Sequence, residues 1–415
     1  MAQQTRRDFM KVGLGGLGML SLGGATPLFV PKFAHAEQAV GSAVSNDNVL
    51  VVVQLSGGND GLNTLIPVGN DDYKKSRPKI ALADGLHQLD DTWALNPGMN
   101  AFKSMFDDGK LAIVNACGYP KQNRSHFESM AIWHSADPSL NDTRGWLGHY
   151  LDHISRGTQS EALSAVNIGS ELPQALVTDG APAPSINRLQ DFSVALDNRT
   201  NFDKGLEREL IEQFTQAEYE NPRAEFFAKQ ANNAIISADE IRKVAESYQP
   251  DANYPGGLGE RLKLIARLIA GNFGTRVFYC QMGGFDTHAN QVQQHQNLLA
   301  QLSNSVKAFY TDLEAKGLDS KVTTMVFSEF GRRVKQNDSQ GTDHGAAGPM
   351  FVVGPKVKPG LHGAAPSLAA DDLDKGDVKF TTDFRRVYST LLRDWLNVDP
   401  SEVLSGEYEN LPLFA

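Results

Sequence analysis

The chain has 415 residues, 41% hydrophobic and 21% charged, ample for a large core in one elaborate domain or two. Its net charge of −10 argues against nucleic acid or an anionic membrane surface as a partner. Cys117 and Cys280 are its only cysteines, too few for a disulfide framework. Each falls at the end of a predicted strand, where two buried free thiols or a single bridge are the options.

Residues 1–36 read as an export leader. Thr5-Arg6-Arg7-Asp8-Phe9-Met10-Lys11 is a twin-arginine motif, Val12 to Ala25 is glycine-rich and weakly apolar, and Ala34-His35-Ala36 supplies a cleavage site. The apolar run is too short and glycine-rich for an anchor, and no later stretch is long and apolar enough to span a bilayer. The expectation is a periplasmic protein that meets the twin-arginine translocase during export. The leader holds four basic residues and one acidic, so its removal takes the net charge from −10 to −13.

Val49-Leu50-Val51-Val52-Val53-Gln54-Leu55 is a near-continuous β-branched run, suited to a parallel strand buried on both faces. It ends in Ser56-Gly57-Gly58-Asn59-Asp60. A helix signal follows at Asn100 to Phe106 and a strand at Leu111 to Ala116. Pro120 to Ser125 is a loop, with Ser125 placed to cap a helix through His134. Leu163 to Leu176 adds a strand and a short helix. Residues 177–257 change character: Pro, Asp and Asn give way to polar helical segments, read as a helical insert of the kind that walls a pocket.

Leu262, Leu264, Ile265, Leu268 and Ile269 then mark a helix leading into Val277-Phe278-Tyr279, a short buried strand broken by Gly283-Gly284. Leu302, Val306, Phe309 and Leu313 form a core-facing helical stripe. Val322 to Phe327 is another strand, ending in Ser328-Glu329-Phe330-Gly331-Arg332-Arg333. A polar loop leads to Gly341-Thr342-Asp343-His344-Gly345, and Met350 to Val353 is a further strand. Thr382-Asp383 caps a last helix. Strands alternating with helices predict an α/β fold with a mainly parallel central sheet.

In such a sheet the carboxyl ends of the strands share one edge, where ligands collect. Asp60, the Asp286/His288 pair, Glu329 and the Asp343/His344 pair all fall at or near strand ends. Acids and imidazoles without cysteine suit Zn, Mn or Mg, and such ions clamp a transferred phosphoryl or similar group. Ser125, at a helix N-terminus, is a candidate nucleophile. Each residue also has a plain structural reading: Gly57 to Asp60 as a tight turn, Asp286 to His288 as an Asx turn with a surface histidine, Ser125 as a helix cap, Glu329 as the partner of Arg332 or Arg333. His126, His134, His149 and His153 lie on or near helices, where structural or exposed roles are expected. The loop residue His362 has no assigned place.

The order of these pieces resembles the alkaline phosphatase, sulfatase and cofactor-independent phosphoglycerate mutase superfamily. Within it, the chain is similar to the bacterial domain-of-unknown-function family 1501. The resemblance implies a three-layer alkaline phosphatase-like fold with the helical insert. It also implies Asp60 as the first metal aspartate, Ser125 in Arg124-Ser125-His126-Phe127-Glu128 as the nucleophile, and Asp286 with His288 on one metal. Thr323 to Glu329 resembles the strand that ends in the Asp-His pair of the other metal, with Glu329 and Phe330 in place of Asp and His. Asp343-His344 either supplies the late metal histidine or is itself that pair, in which case His362 is the late histidine. A sulfatase would need a C/S-x-P-x-R motif, which neither Cys117 nor Ser125 provides.

The function implied is an exported metal-dependent hydrolase acting on a small-molecule or envelope-polymer ester, phosphate or related. The rival is a degenerate member of the superfamily serving as an envelope binding or assembly protein. No flavin, haem or molybdopterin motif supports an oxidoreductase.

Overall fold

The computed structural model describes residues 47–156, 164–179, 183–187 and 243–414, with Gln213 and Ile241. The expected leader and most of the expected insert over 177–257 lie outside the described residues. In chain order the first strands are β1 (Val49–Leu55), β2 (Leu65–Pro67), β3 (His87–Gln88), β4 (Trp93–Leu95), β5 (Leu111–Gly118), β6 (Ala165–Ile168) and β7 (Ser185–Ile186). Then come β8 (Val277–Met282), β9 (Val322–Ser328), β10 (Arg332–Gln336), β11 (Thr342–His344), β12 (Gly348–Val353), β13 (Gly360–His362) and β14 (Thr382–Asp383). The helices are α1 (Gly61–Thr64), α2 (Asp71–Ser76), α3 (Asn100–Asp107), α4 (His126–Ser135), α5 (Trp146–Ile154), α6 (Gly256–Ala270), α7 (Gln291–Ala315) and α8 (Phe384–Thr390).

The main sheet has the order β13-β5-β12-β9-β1-β8-β6-β7, with β14 also paired to β5. All its pairings are parallel except those of β12, which runs antiparallel to both β5 and β9. β1 lies in its middle, and all seven of its residues are buried. Side chains alternate along a strand, so Val49, Val51, Val53 and Leu55 join one core and Leu50 and Val52 the other. On the first face α3, α6 and α7 contribute Phe102, Leu262, Ile265, Leu302 and Phe309. On the second, α4, α5 and α8 contribute Trp133, Trp146 and Tyr388. Trp146 stacks on Tyr388 and Trp133 on Phe384, each at 4.2 Å between ring centres. The result is a three-layer α/β fold: the pattern of strands and helices predicts its mainly parallel sheet, and the resemblance implies its three layers.

Cys117 and Cys280 are both free and buried, and they belong to opposite core faces. The polar loop expected between Arg333 and Gly341 is in part strand, because β10 runs on to Gln336 and pairs antiparallel with β11. The anchors of this pair are Arg332, Val334 and Thr342, which are buried while Arg333, Lys335 and Asp343 are not, a short-range alternation that is easily missed. No helix among the described residues is long and apolar enough to cross a membrane.

Two histidines are spent on this framework. His134 on α4 lies 2.9 Å from Gln54 Oε1 of β1 and 3.0 Å from the Tyr279 hydroxyl of β8. His295 on α7 lies 2.9 Å from Asn59 Oδ1, just past β1. Burial pushes each ring down to about 4 from an ordinary 6.5. Between those values the unfolded chain binds protons that the folded one refuses, so stability rises with pH through the window. A tenfold change in proton affinity is worth about 1.4 kcal/mol. Acidification from about 6.5 to about 4 is therefore expected to remove on the order of a few kcal/mol of stability. Urea unfolding across that range is the measurement, and a flat profile above the carboxylate range would contradict it.

Candidate metal centre

Register puts the carboxyl ends of three strands side by side. Leu55 at the end of β1 stands opposite Met282 of β8 and Ser328 of β9. The loops after Leu55, Met282 and Ser328 therefore leave from one edge. β5 points the same way, and its following loop ends at His126, the first residue of α4. β11 ends on His344, paired with Arg332.

His126, Asp286 and His344 converge there, with one ligand atom from each lying within 4.8 Å of the others. His344 Nε2 is 3.1 Å from Asp286 Oδ1, and His126 Nε2 is 3.6 Å from Oδ2 of the same carboxylate. The opposite ring nitrogens fix the protons. His344 Nδ1 faces the carbonyl of Arg124 at 2.9 Å, and His126 Nδ1 faces Glu329 Oε1 at 2.8 Å. A carbonyl and a carboxylate only accept, so both Nδ1 atoms carry hydrogen, and a neutral ring at either position turns its Nε2 lone pair toward Asp286. In the neutral state two lone pairs and a carboxylate face one another, an arrangement that a proton or a metal cation between them relieves. A two-histidine, one-carboxylate set is a donor set for a divalent transition metal.

The surroundings hold this arrangement in place. Phe330 is buried beneath both rings, its centre 5.0 Å from that of His126 and 4.8 Å from that of His344. Arg332, also buried, donates to Asp286 Oδ1 at 2.6 Å. Burial opposes charge on Asp286, but the hydrogen bond and charge of Arg332 offset it and the carboxyl is pulled down to about 2. The hydrogen bond to Glu329 raises His126 above the usual imidazole range against partial burial. Gly57, with φ of +121°, passes so close that an added Cβ would sit 2.3 Å from the Asp286 nitrogen. Gly58, with φ of +74°, would drive a Cβ to 2.2 Å from the Phe330 ring. Only glycine fits either position.

The residues expected at the site divide into groups. Asp286 and His344 are in the cluster, and His288 flanks it with Nε2 at 3.0 Å from both Asp286 Oδ1 and His344 Nε2. Asp343 is at the fringe, 3.4 Å from His288 Nδ1. Glu329 stands behind His126. Ser125 is the N-cap residue of α4, and its hydroxyl makes no cap hydrogen bond. The His362 ring is held by the Lys358 carbonyl at 2.9 Å, on the sheet-edge strand β13.

Asp60, expected as a metal ligand, stands outside the cluster. It is fully buried, and Arg77 grips it with both terminal guanidinium nitrogens, Nη1 and Nη2, at 2.6 and 2.9 Å. Gln291 and the Leu62 N–H donate to the same carboxylate. Burial works against its charge, but Arg77 prevails and its pKa is lowered. An internal guanidinium occupies Asp60 where a metal was expected. His126 and Arg332 are the site residues that sequence reasoning missed. The available signal for His126 was its place as the first helical residue after a strand's carboxyl end.

A family model described as a protein of unknown function (DUF1501) matches residues 47–405. The chain belongs to this family. No curated protein matches it. Among solved structures, this DUF1501 chain is similar to the zinc complex of the C-terminal periplasmic domain of EcEptC from Escherichia coli. That match is 9% identical and covers 78% of this chain and 76% of the other, at a TM-score of 0.34. A protein in the alkaline phosphatase superfamily from Vibrio parahaemolyticus is 8% identical over 86% of this chain and 71% of its own, with a TM-score of 0.31. An alkaline phosphatase from the Antarctic bacterium TAB5 is 10% identical over 75% of this chain and 92% of its own, with a TM-score of 0.29.

Replacing Arg77 with Ala should leave Asp60 charged, buried and unpaired, at a cost of about 3–5 kcal/mol. The denaturant midpoint of R77A against wild type measures it, and a loss below about 1 kcal/mol would show that Asp60 has another counter-charge.

Proposed function

We propose that this protein is an exported metal-dependent hydrolase that acts on a phosphate or related ester. One observation carries the reading: the Nε2 lone pairs of His126 and His344 and the Asp286 carboxylate face a common point. In this proposal those three residues hold a single divalent ion, with His288 as the nearest further imidazole. The bound ion would polarise an ester oxygen as a Lewis acid.

The chain's own contribution is the nucleophile and its setting. Ser125 immediately precedes the ligand His126, at the N-terminus of a ten-residue helix, where the backbone dipole favours negative charge. Its Oγ would form a bond to phosphorus as the ester P–O bond breaks, and water would then release the serine. The order of motifs around Ser125, Asp286 and His344 supports a phosphoryl centre. A binding or assembly role in the envelope is the second reading. It draws support from Asp60, whose carboxylate is closed by Arg77 and leaves a narrower donor set than two ions require.

Metal analysis of the purified mature protein should find zinc or another divalent ion. Asp286→Asn and His344→Ala should lose the ion and the hydrolysis of p-nitrophenyl phosphate together, whereas Ser125→Ala should keep the ion and lose turnover by about 100-fold or more, on the order expected for a missing nucleophile. Metal-free wild type without esterase activity would overturn the reading, and S125A with unchanged biological function would favour the binding role.

The same proposal places the protein in the periplasm by the twin-arginine route. Replacing Arg6 and Arg7 together with Lys should retain it in the cytoplasm with residues 1–36 uncleaved. Normal periplasmic recovery of that variant would contradict twin-arginine export.

A further inference from the structure

Glu329 was expected among the metal ligands, but its carboxylate is directed elsewhere. Oε1 accepts the Gly57 N–H at 2.8 Å and faces His126 Nδ1 at 2.8 Å. Oε2 accepts the Ser328 hydroxyl at 2.9 Å. Three of the roughly four lone-pair positions of a carboxylate are thus engaged, and the residue is only 2% exposed. Its backbone carbonyl accepts the Ser129 hydroxyl at 2.6 Å, which ties it to the same helix that carries His126. The ring it holds is one of the three groups that converge, whereas Glu329 itself is not.

A carboxylate behind an imidazole selects the tautomer, fixes the ring plane and strengthens the far nitrogen as a donor to metal. His344 is held by a neutral carbonyl, so the two histidines of the cluster are pinned by partners of different charge. We infer that Glu329 is a positioning residue, not a ligand: it acts through His126, holding the ring in its Nδ1–H form with Nε2 turned toward Asp286. The consequence for metal affinity rests on the metal reading above, but the tautomer does not depend on it.

The test uses wild type, Glu329→Gln, Glu329→Ala and, as reference, His126→Ala. The His126 ring nitrogen shifts are read by NMR in metal-free protein, at a pH where the ring is neutral. Zinc affinity is read by competition with a chromophoric chelator. Glutamine keeps an oxygen for Gly57 and His126, so E329Q should fold, retain the Nδ1–H form and lose less than about tenfold in affinity, whereas E329A should show mixed tautomers and a loss of about 10- to 100-fold. An Nε2–H ring in wild type would overturn the inference. So would an E329Q affinity as poor as that of H126A, the mark of a direct ligand. If wild type takes up no zinc, the metal reading falls, and the ring shifts alone decide the role of Glu329.

Discussion

The edge of the sheet is organised by one buried guanidinium. Arg332 donates through Nε to the Gly58 carbonyl at 2.7 Å and through Nη1 to that of Thr342 at 2.7 Å. Nη2 serves the carbonyls of Gly57 and Phe285 and the carboxylate of Asp286. A single rigid fork therefore joins the loops after β1 and β8 to β11. Burying a cation costs several kcal/mol unless its donors are satisfied, so the surrounding carbonyls are confined to one arrangement. Lysine, with a point charge and no planar fork, could not span them.

The difference between the Asp60–Arg77 and Asp286–Arg332 pairs at this edge separates scaffold from site. Asp60 and Arg77 are both fully buried and closed on all sides. Asp286 meets Arg332 through one oxygen while its side chain remains 48% exposed, and its other oxygen faces His126. The first carboxylate has no capacity left for a ligand. The second keeps a face open to solvent beside two imidazoles, and Arg332 keeps it ionised.

The sequence made the layered architecture legible because β1, β8 and β9 are short runs of mostly apolar or β-branched residues, a pattern that suits cover on both faces. Asp286, His288 and His344 were legible for a related reason, since strand ends in a parallel sheet are where side chains converge. Nothing local distinguished Asp60 from them. Its fate is set by Arg77, an arginine at the end of a short helix whose inward direction only the tertiary fold decides. His126 looked like an ordinary helical histidine, because the acceptor that defines it, Glu329, is remote in the chain. The antiparallel sense of β12 likewise leaves no mark on its own residues, since strand direction is set by connection and neighbours.

The central place of β1 bears on how the molecule can be assembled. It is the first strand described, yet its partners begin only at Val277 and Val322. A nascent chain emerging from the ribosome would hold this seven-residue apolar segment without an edge to join until most of the polypeptide had been made. Non-local pairing of this kind is slow and leaves sticky surface exposed meanwhile. The pairing of Val49–Leu55 is thus among the last that synthesis allows, although its residues are among the first made.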